Sequence, residues 1–134
     1  MDELDRRIIG LLQLDGRASN AALAKELGVS EGTIHRRLWR LVQEEAIRIA
    51  AVPNLEKIGY GTTALVGVQT RPGEADHVAE TLAGLEQVHY SSVTTGAYDV
   101  FLWVALGSAE RLGEFLRTKV AAVAGVHRTE TFVN

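Results

Sequence analysis

Apolar side chains recur at two different periods along this chain, and the period changes near Pro53. Before it, Leu4, Ile8, Leu11 and Leu12 stand at i, i+4, i+7 and i+8, the stripe of an amphipathic helix. Asp5 falls in the first turn, where the helix dipole favours an anion. Asp15-Gly16-Arg17 predicts the end of that helix, with Gly16 suited to a left-handed position. Ser19 or Asn20 can cap a second helix carrying Leu23, Ala24 and Leu27, which Gly28 stops. Ser30 can cap a third, with Ile34, Leu38 and Leu41 on its buried face. Ala46 to Val52 then alternates and carries β-branched residues, which predicts a strand.

Beyond Pro53 and Gly59, two residues that punctuate a chain, the order of elements predicted is β-α-β-β-α-β. Thr62 to Thr70 is strand-like, Pro72-Gly73 a turn, and Ala75 to Leu85 a helix facing inward with Val78, Leu82 and Leu85. Val88 to Thr95 and Tyr98 to Leu106 predict a hairpin turned at Gly96-Ala97. Ser108 can cap a helix bearing Leu112, Phe115, Leu116, Val120 and Val123, and Val126 to Val133 closes the series. That order is the split βαβ, or ferredoxin-like, motif, and the fold class expected is α+β. The domains expected are 1–52, a linker at 53–59, and 60–134.

Composition narrows the function classes. With no cysteine among 134 residues, disulfides, thiolate nucleophiles and iron–sulfur clusters drop out. No apolar run approaches the roughly 20 residues that cross a bilayer, and MDELDRR lacks a signal-peptide core. The expectation is a soluble intracellular protein that does not engage a membrane. The net charge of −3 argues against coating nucleic acid by bulk positive charge. Split at Pro53, however, residues 1–52 hold eight basic and eight acidic residues, and 53–134 hold six and nine. All the net acidity therefore belongs to the second half. Within residues 30–41, Arg36, Arg37 and Arg40 face a single acid, Glu31, giving a local +2 beside His35.

Ala24, Gly28 and Ile34 have the spacing of a helix-turn-helix: a small residue for close approach, a glycine for the sharp turn, an aliphatic that packs back between the helices. Arg36, Arg37 and Arg40 flank or oppose the Ile34–Leu38–Leu41 stripe, where they form a solvated face or meet phosphates and guanine edges. Glu31, Gly32, Thr33 and His35 sit near the helix N-terminus, where base contacts are usually made. Gly32 would let the helix lie close to a base pair. Trp39 is read as packing at the flank of the core.

The segments LDRRIIGLLQLDGR, LAKELGVS, TIHRRLWRL and EEAIR resemble the winged helix-turn-helix of the leucine-responsive/asparagine-responsive (Lrp/AsnC) transcription regulators. NLEKIGYG, TTGAYDVFLWV and VAGVHRTETFV resemble the amino-acid-sensing domain of the same family, so the resemblance covers nearly the whole chain. It implies a cytoplasmic protein; no cofactor or metal is expected, because no P-loop, dinucleotide fingerprint or metal-ligand spacing is present. It also implies dimerisation through the C-terminal sheets, with further assembly into octamers or similar rings. The partners implied are double-stranded promoter DNA and a small-molecule effector, an amino acid or a relative of one. Ser30 to Arg37 would face DNA, with Arg37 on a phosphate or locking the helix, and Arg40 joins them as a basic candidate. Effector contact would fall at Thr95, Gly96, Ala97, Tyr98 and Asp99. There Asp99 would accept from the ligand ammonium, and turn N–H groups would donate to its carboxylate. From the residues alone the same turn reads as a plain hairpin, with Tyr98 in cross-strand packing and Asp99 as a capping acceptor.

Two departures stand out. The family carries glycine where this chain has Ala46, which would strain a left-handed position there or shift the wing, and AAVPN lacks the usual wing tyrosine. His35, His77, His89 and His127 have no ligand spacing. One enzyme class, the siroheme decarboxylases, shares this architecture. An enzyme of that kind would recruit His89 and Arg128 around a tetrapyrrole. A sensing module without DNA binding is the remaining alternative.

Overall fold

The computed structural model describes every residue from Met1 to Asn134. The chain divides into two compact units, Met1–Val52 and Pro53–Asn134. The first holds α1 (Glu3–Leu14), α2 (Asn20–Leu27) and α3 (Glu31–Gln43). Each begins on a side-chain cap. Asp2 and Asp5 form a reciprocal capping box on α1, Ser19 Oγ accepts from Ala22 N–H, and Ser30 Oγ accepts from Thr33 N–H. Ile8, Leu23, Ala24, Leu27, Ile34 and Leu41 form the core, and the small side chain of Ala24 lets α3 come close. Gly28 turns the chain at φ 68° between α2 and α3.

The helix ends depart from expectation in two places. Gly16 does not take a left-handed conformation; Asp15 ends α1 in an extended conformation and its Oδ1 accepts from Arg17 N–H, which closes the turn instead. After α3 the left-handed residue is Glu45, at φ 55°, and not Ala46. Ala46 N–H donates to Leu41 O and Glu45 N–H to Val42 O, the paired bonds of a Schellman ending. The strain expected at Ala46 therefore falls on Glu45.

The strand expected over Ala46–Val52 is not formed. Alternation supplies only one side of a ladder. No segment of this chain pairs with residues 46–52, so they stay outside any sheet, and Ile49 and Val52 remain exposed.

The second unit opens with a 3₁₀ turn at Glu56–Ile58, capped by Asn54 Oδ1 on Lys57 N–H and ended by Gly59 at φ 99°. Then follow β1 (Thr62–Thr70), α4 (Ala75–Ala83), β2 (Val88–Val93), β3 (Val100–Leu106), α5 (Ala109–Phe115) and β4 (Val126–Val133). The sheet is antiparallel in the order β2-β3-β1-β4, as the split βαβ pattern requires. Ala64, Val66, Val68, Val100, Leu102 and Val104 point to one face and bury themselves under α4 and α5 with Val78, Leu82, Leu112 and Phe115. Ser108 caps α5 as expected, but the helix continues beyond Phe115 as a single π turn, Leu116–Val120. The hairpin turn is wider than a two-residue loop. β2 ends at Val93, β3 begins at Val100, and Thr94–Asp99 forms the loop, closed by Thr94 N–H on Asp99 O at 2.8 Å.

The opposite sheet face carries no helix. In register across all four strands lie Tyr90, Trp103, Leu65 and Phe132. Tyr90, Leu65 and Phe132 are among the exposed large apolar side chains.

Candidate functional site

Two places collect the candidate residues. The first is α3. Ser30, Glu31, Gly32, His35 and Arg36 are exposed and Thr33 is half-buried. They share the N-terminal turns, which the cap stiffens: Ser30 Oγ lies 2.9 Å from Thr33 Oγ1, and Arg36 Nη2 donates to Thr33 Oγ1 at 3.3 Å. Arg36 has no carboxylate within ion-pair distance, so its charge is available to a partner.

Arg37 and Arg40 stand differently. Arg37 Nη1 reaches Asp2 Oδ2 at 2.5 Å and Asp5 Oδ1 at 3.2 Å, and Arg40 Nη2 reaches Asp5 Oδ2 at 2.7 Å. Asp5 is fully buried, the one charged residue in the N-terminal core. Burial opposes its ionisation, but the Asp2 N–H and then the two arginines outweigh it, and the carboxyl sits below its ordinary value. The Asp2 carboxyl is held at about 2 by the Asp5 N–H first and by Arg37 second, and both carboxylates in turn raise Arg37, Asp2 more than Asp5. The three arginines of α3 thus divide: one open to solvent, two clamped on the first turn of α1. Sequence reading placed Asp5 at a helix start but missed its partners. The available signal was an acid pair at i and i+3, a capping box built from two aspartates, in a chain with an arginine-rich third helix.

Trp39 is not packed at the core flank. It is 61% exposed, on the same side of α3 as His35 and Arg36. The helix gives its core only Ile34 and Leu41; Leu38, expected on the buried face, is half-buried outside that core, and the indole is left exposed.

The second place is the Thr94–Asp99 loop. Thr95, Gly96 and Ala97 are exposed, and Gly96 takes φ 117°, open to glycine at low cost. Asp99 Oδ2 accepts from Thr70 N–H at 2.7 Å and from Thr70 Oγ1 at 3.3 Å, where β1 breaks register with β4. Asp99 is therefore a strand-end cap, with Oδ1 left without a hydrogen-bond donor. Gln69 Nε2 donates to Ala97 O at 3.0 Å, which ties the loop to β1, and Thr94 Oγ1 donates to Tyr98 O at 2.8 Å within the loop. Tyr98 turns back over the open sheet face. Its ring covers Gly67 so closely that a Cβ there would lie 2.7 Å from it. The ring stands edge-on to Phe101 and Phe132, and its hydroxyl bonds the Glu130 carboxylate. Gly67 and Glu130, unnoticed in the sequence, are what seat Tyr98.

His89 and Arg128 are not brought together. His89 lies on β2, edge-on to Tyr60 at 5.7 Å, and Arg128 lies on β4 beside Gln69. These are the two outer strands, about 14 Å apart across the sheet. No cluster of three or more potential metal-binding side chains forms, and no helix is long and apolar enough to cross a membrane.

Residues 1–42 match the AsnC-type helix-turn-helix domain and residues 63–134 match the Lrp/AsnC ligand-binding domain. An uncharacterised HTH-type transcriptional regulator of Pyrococcus furiosus is 40% identical, over 99% of this chain and 90% of its own length. The HTH-type transcriptional regulator FL11 of Pyrococcus abyssi is 34% identical, over 99% and 88%. Among solved structures, AsnC of E. coli is 29% identical and superposes with a TM-score of 0.84 over 100% of this chain and 91% of that one. The regulator NMB0573 of Neisseria meningitidis, solved as a complex with L-Met, is 23% identical with a TM-score of 0.88 over 100% and 89%, a likeness of fold. With the α1–α3 helix-turn-helix and the four-stranded sheet in one chain, the protein belongs to the Lrp/AsnC family of HTH transcription regulators.

Proposed function

We propose that this regulator reads promoter DNA with the N-terminal flank of α3, through Ser30, Glu31, Gly32, Thr33, His35 and Arg36. Arg37 and Arg40 act mainly to hold α3 at a fixed angle on α1. The observation that carries this reading is the unequal state of the three arginines. Arg36 is unpaired, whereas Arg37 and Arg40 are bonded to Asp2 and Asp5. Glu31 can accept from a cytosine amino group, Arg36 can reach a phosphate or guanine, and the absence of a side chain at Gly32 permits close approach.

The row Tyr90–Trp103–Leu65–Phe132 supports dimerisation of the sheets face to face in the cytoplasm, with dimers assembling further into octamers or similar rings. A dimer presents two recognition helices to two half-sites. An amino acid is the effector class, in keeping with the fold shared with a protein solved with L-Met. It contacts the Thr95–Asp99 loop, with Asp99 Oδ1 taking its ammonium. An effector that prefers one assembly shifts the population toward it and alters DNA binding by linkage. No catalytic step is assigned to the chain.

Titrating a duplex from the region upstream of its own gene, at a series of salt concentrations, tests the interface. The affinity is expected to fall with salt, and Arg36→Ala should flatten the log–log slope by about 1. A slope unchanged by Arg36→Ala removes that residue from the interface. For the effector, Asp99→Asn keeps an oxygen for Thr70 while removing the charge. Calorimetry with the set of L-amino acids should show binding to the parent protein and none to this variant. Equal heats from both place the ligand elsewhere.

A further inference from the structure

The exposed indole of Trp39 has no partner within its own unit, and its surroundings indicate what covers it. Residues 32, 35, 36 and 39 lie along one side of α3, at about 100° per residue. That side carries Gly32, His35, Arg36 and Trp39 and no acid. His35, Arg36 and Trp39 form the walls of one shallow cleft. Side chains on a helix lean toward its N-terminus, so the indole lies over the turn that holds His35 and Arg36. The charge around it suits a polyanion, and the surface is continuous with the base-reading end of the helix.

We infer that Trp39 is a DNA-contacting residue, its ring packed on the deoxyribose wall of the major groove and its Nε1–H donating to a phosphate oxygen. This rests on the reading of α3 given above. Trp39 stands seven residues beyond Gly32, about 10 Å along the axis, against a groove depth of about 8.5 Å. When the helix enters the groove N-terminus first, with Gly32 at a base edge, the indole is therefore level with the backbone and not with the bases. The contact adds affinity without charge, through a ring that buries a large apolar area and has one polar end.

The chain has two tryptophans, so Trp103→Phe leaves Trp39 as the sole indole reporter. Its emission is expected to drop and shift to shorter wavelength in step with added upstream duplex. Trp39→Ala should weaken binding by about tenfold with an unchanged salt slope, since no counterion is released by an indole. Trp39→Phe should recover part of that loss, keeping the ring but not the N–H. Steady emission, with Trp39→Ala within about twofold of the parent while Arg36→Ala still weakens binding, overturns the role of Trp39 and leaves the α3 reading intact. Indifference to both substitutions overturns the α3 reading itself. An emission change that follows protein concentration without DNA assigns the indole to a protein contact and also overturns the inference.

Discussion

Asp5→Ala is expected to destabilise the N-terminal unit by about 2–3 kcal/mol, because it removes a buried carboxylate, leaves Arg40 without its acceptor and leaves Arg37 with Asp2 alone. Both arginines keep partial access to water, which holds the cost below that of a fully buried pair. A unit of this size has little stability to lose. The melting temperature should fall by at least about 10 °C, and DNA binding at growth temperature should fall with it. Asp5→Asn should lie between parent and alanine, since it keeps an acceptor but not the charge. The same cluster makes the stability of the N-terminal unit depend on pH in acid. Asp2 ionises at about 2 in the folded chain, against 3.8 ordinarily. A carboxyl with a depressed folded pKa stabilises the native state above its unfolded pKa and stops doing so as pH falls through the folded one. The contribution of Asp2 is thus complete above pH 3.8 and lost on descent to about 2, and Asp5 works in the same direction. Helical circular dichroism of the parent should decline across that window. Melting of Asp5→Ala within a degree or so of the parent would sink this account of the clamp.

Trp103→Glu is expected to break the proposed sheet-to-sheet dimer into monomers. Trp103 stands second in the four-strand row, directly opposite Tyr90 on one side and Leu65 on the other, with Phe132 beyond. Tyr98, folded on Gly67, widens the same apolar surface. A contiguous face of this kind is rarely left to water, and a carboxylate at its centre would have to be buried unpaired. Light scattering should report half the parent mass for the smallest species. Each sheet keeps its own helix-side core of Val66, Val68, Leu102 and Val104, so thermal unfolding of the unit should stay cooperative. Affinity for a duplex with two half-sites should drop by about 100-fold as the two heads lose their linkage, whereas affinity for a single half-site should change little. A dimeric Trp103→Glu protein would show that the row is not the subunit contact.

Much of the architecture was legible because it is written in local rules. Ser19, Ser30 and Ser108 each sit three residues before the N–H they accept from, and Gly28 takes the left-handed turn the helix-turn-helix spacing demands. The period-two burial of Ala64, Val66 and Val68 and the inward stripe of α4 carry the βαββαβ order. Where prediction failed locally, two local solutions competed. Asp15 ended α1 by a side-chain turn in place of Gly16, and Glu45 took the left-handed site one residue before Ala46.

What could not be read along the chain is how its charges and exposed rings are allotted. Arg36, Arg37 and Arg40 look alike in sequence. Only the approach of α1, 32 to 35 residues away, separates two clamped arginines from a free one. Asp99 and Tyr98 are neighbours in the turn, yet one caps β1 and the other lies on the sheet face over Gly67. Residues 46–52 have the alternation of a strand and no strand to pair with. Periodicity and capping depend on residues within about one helical turn, so the sequence alone determined the elements, their order and the family they imply. Ion pairs, ring stacking and strand pairing depend on residues distant in the chain. The tertiary structure alone therefore decided which arginine is left unpaired, which tryptophan lies exposed beside it, and which sheet face carries no helix.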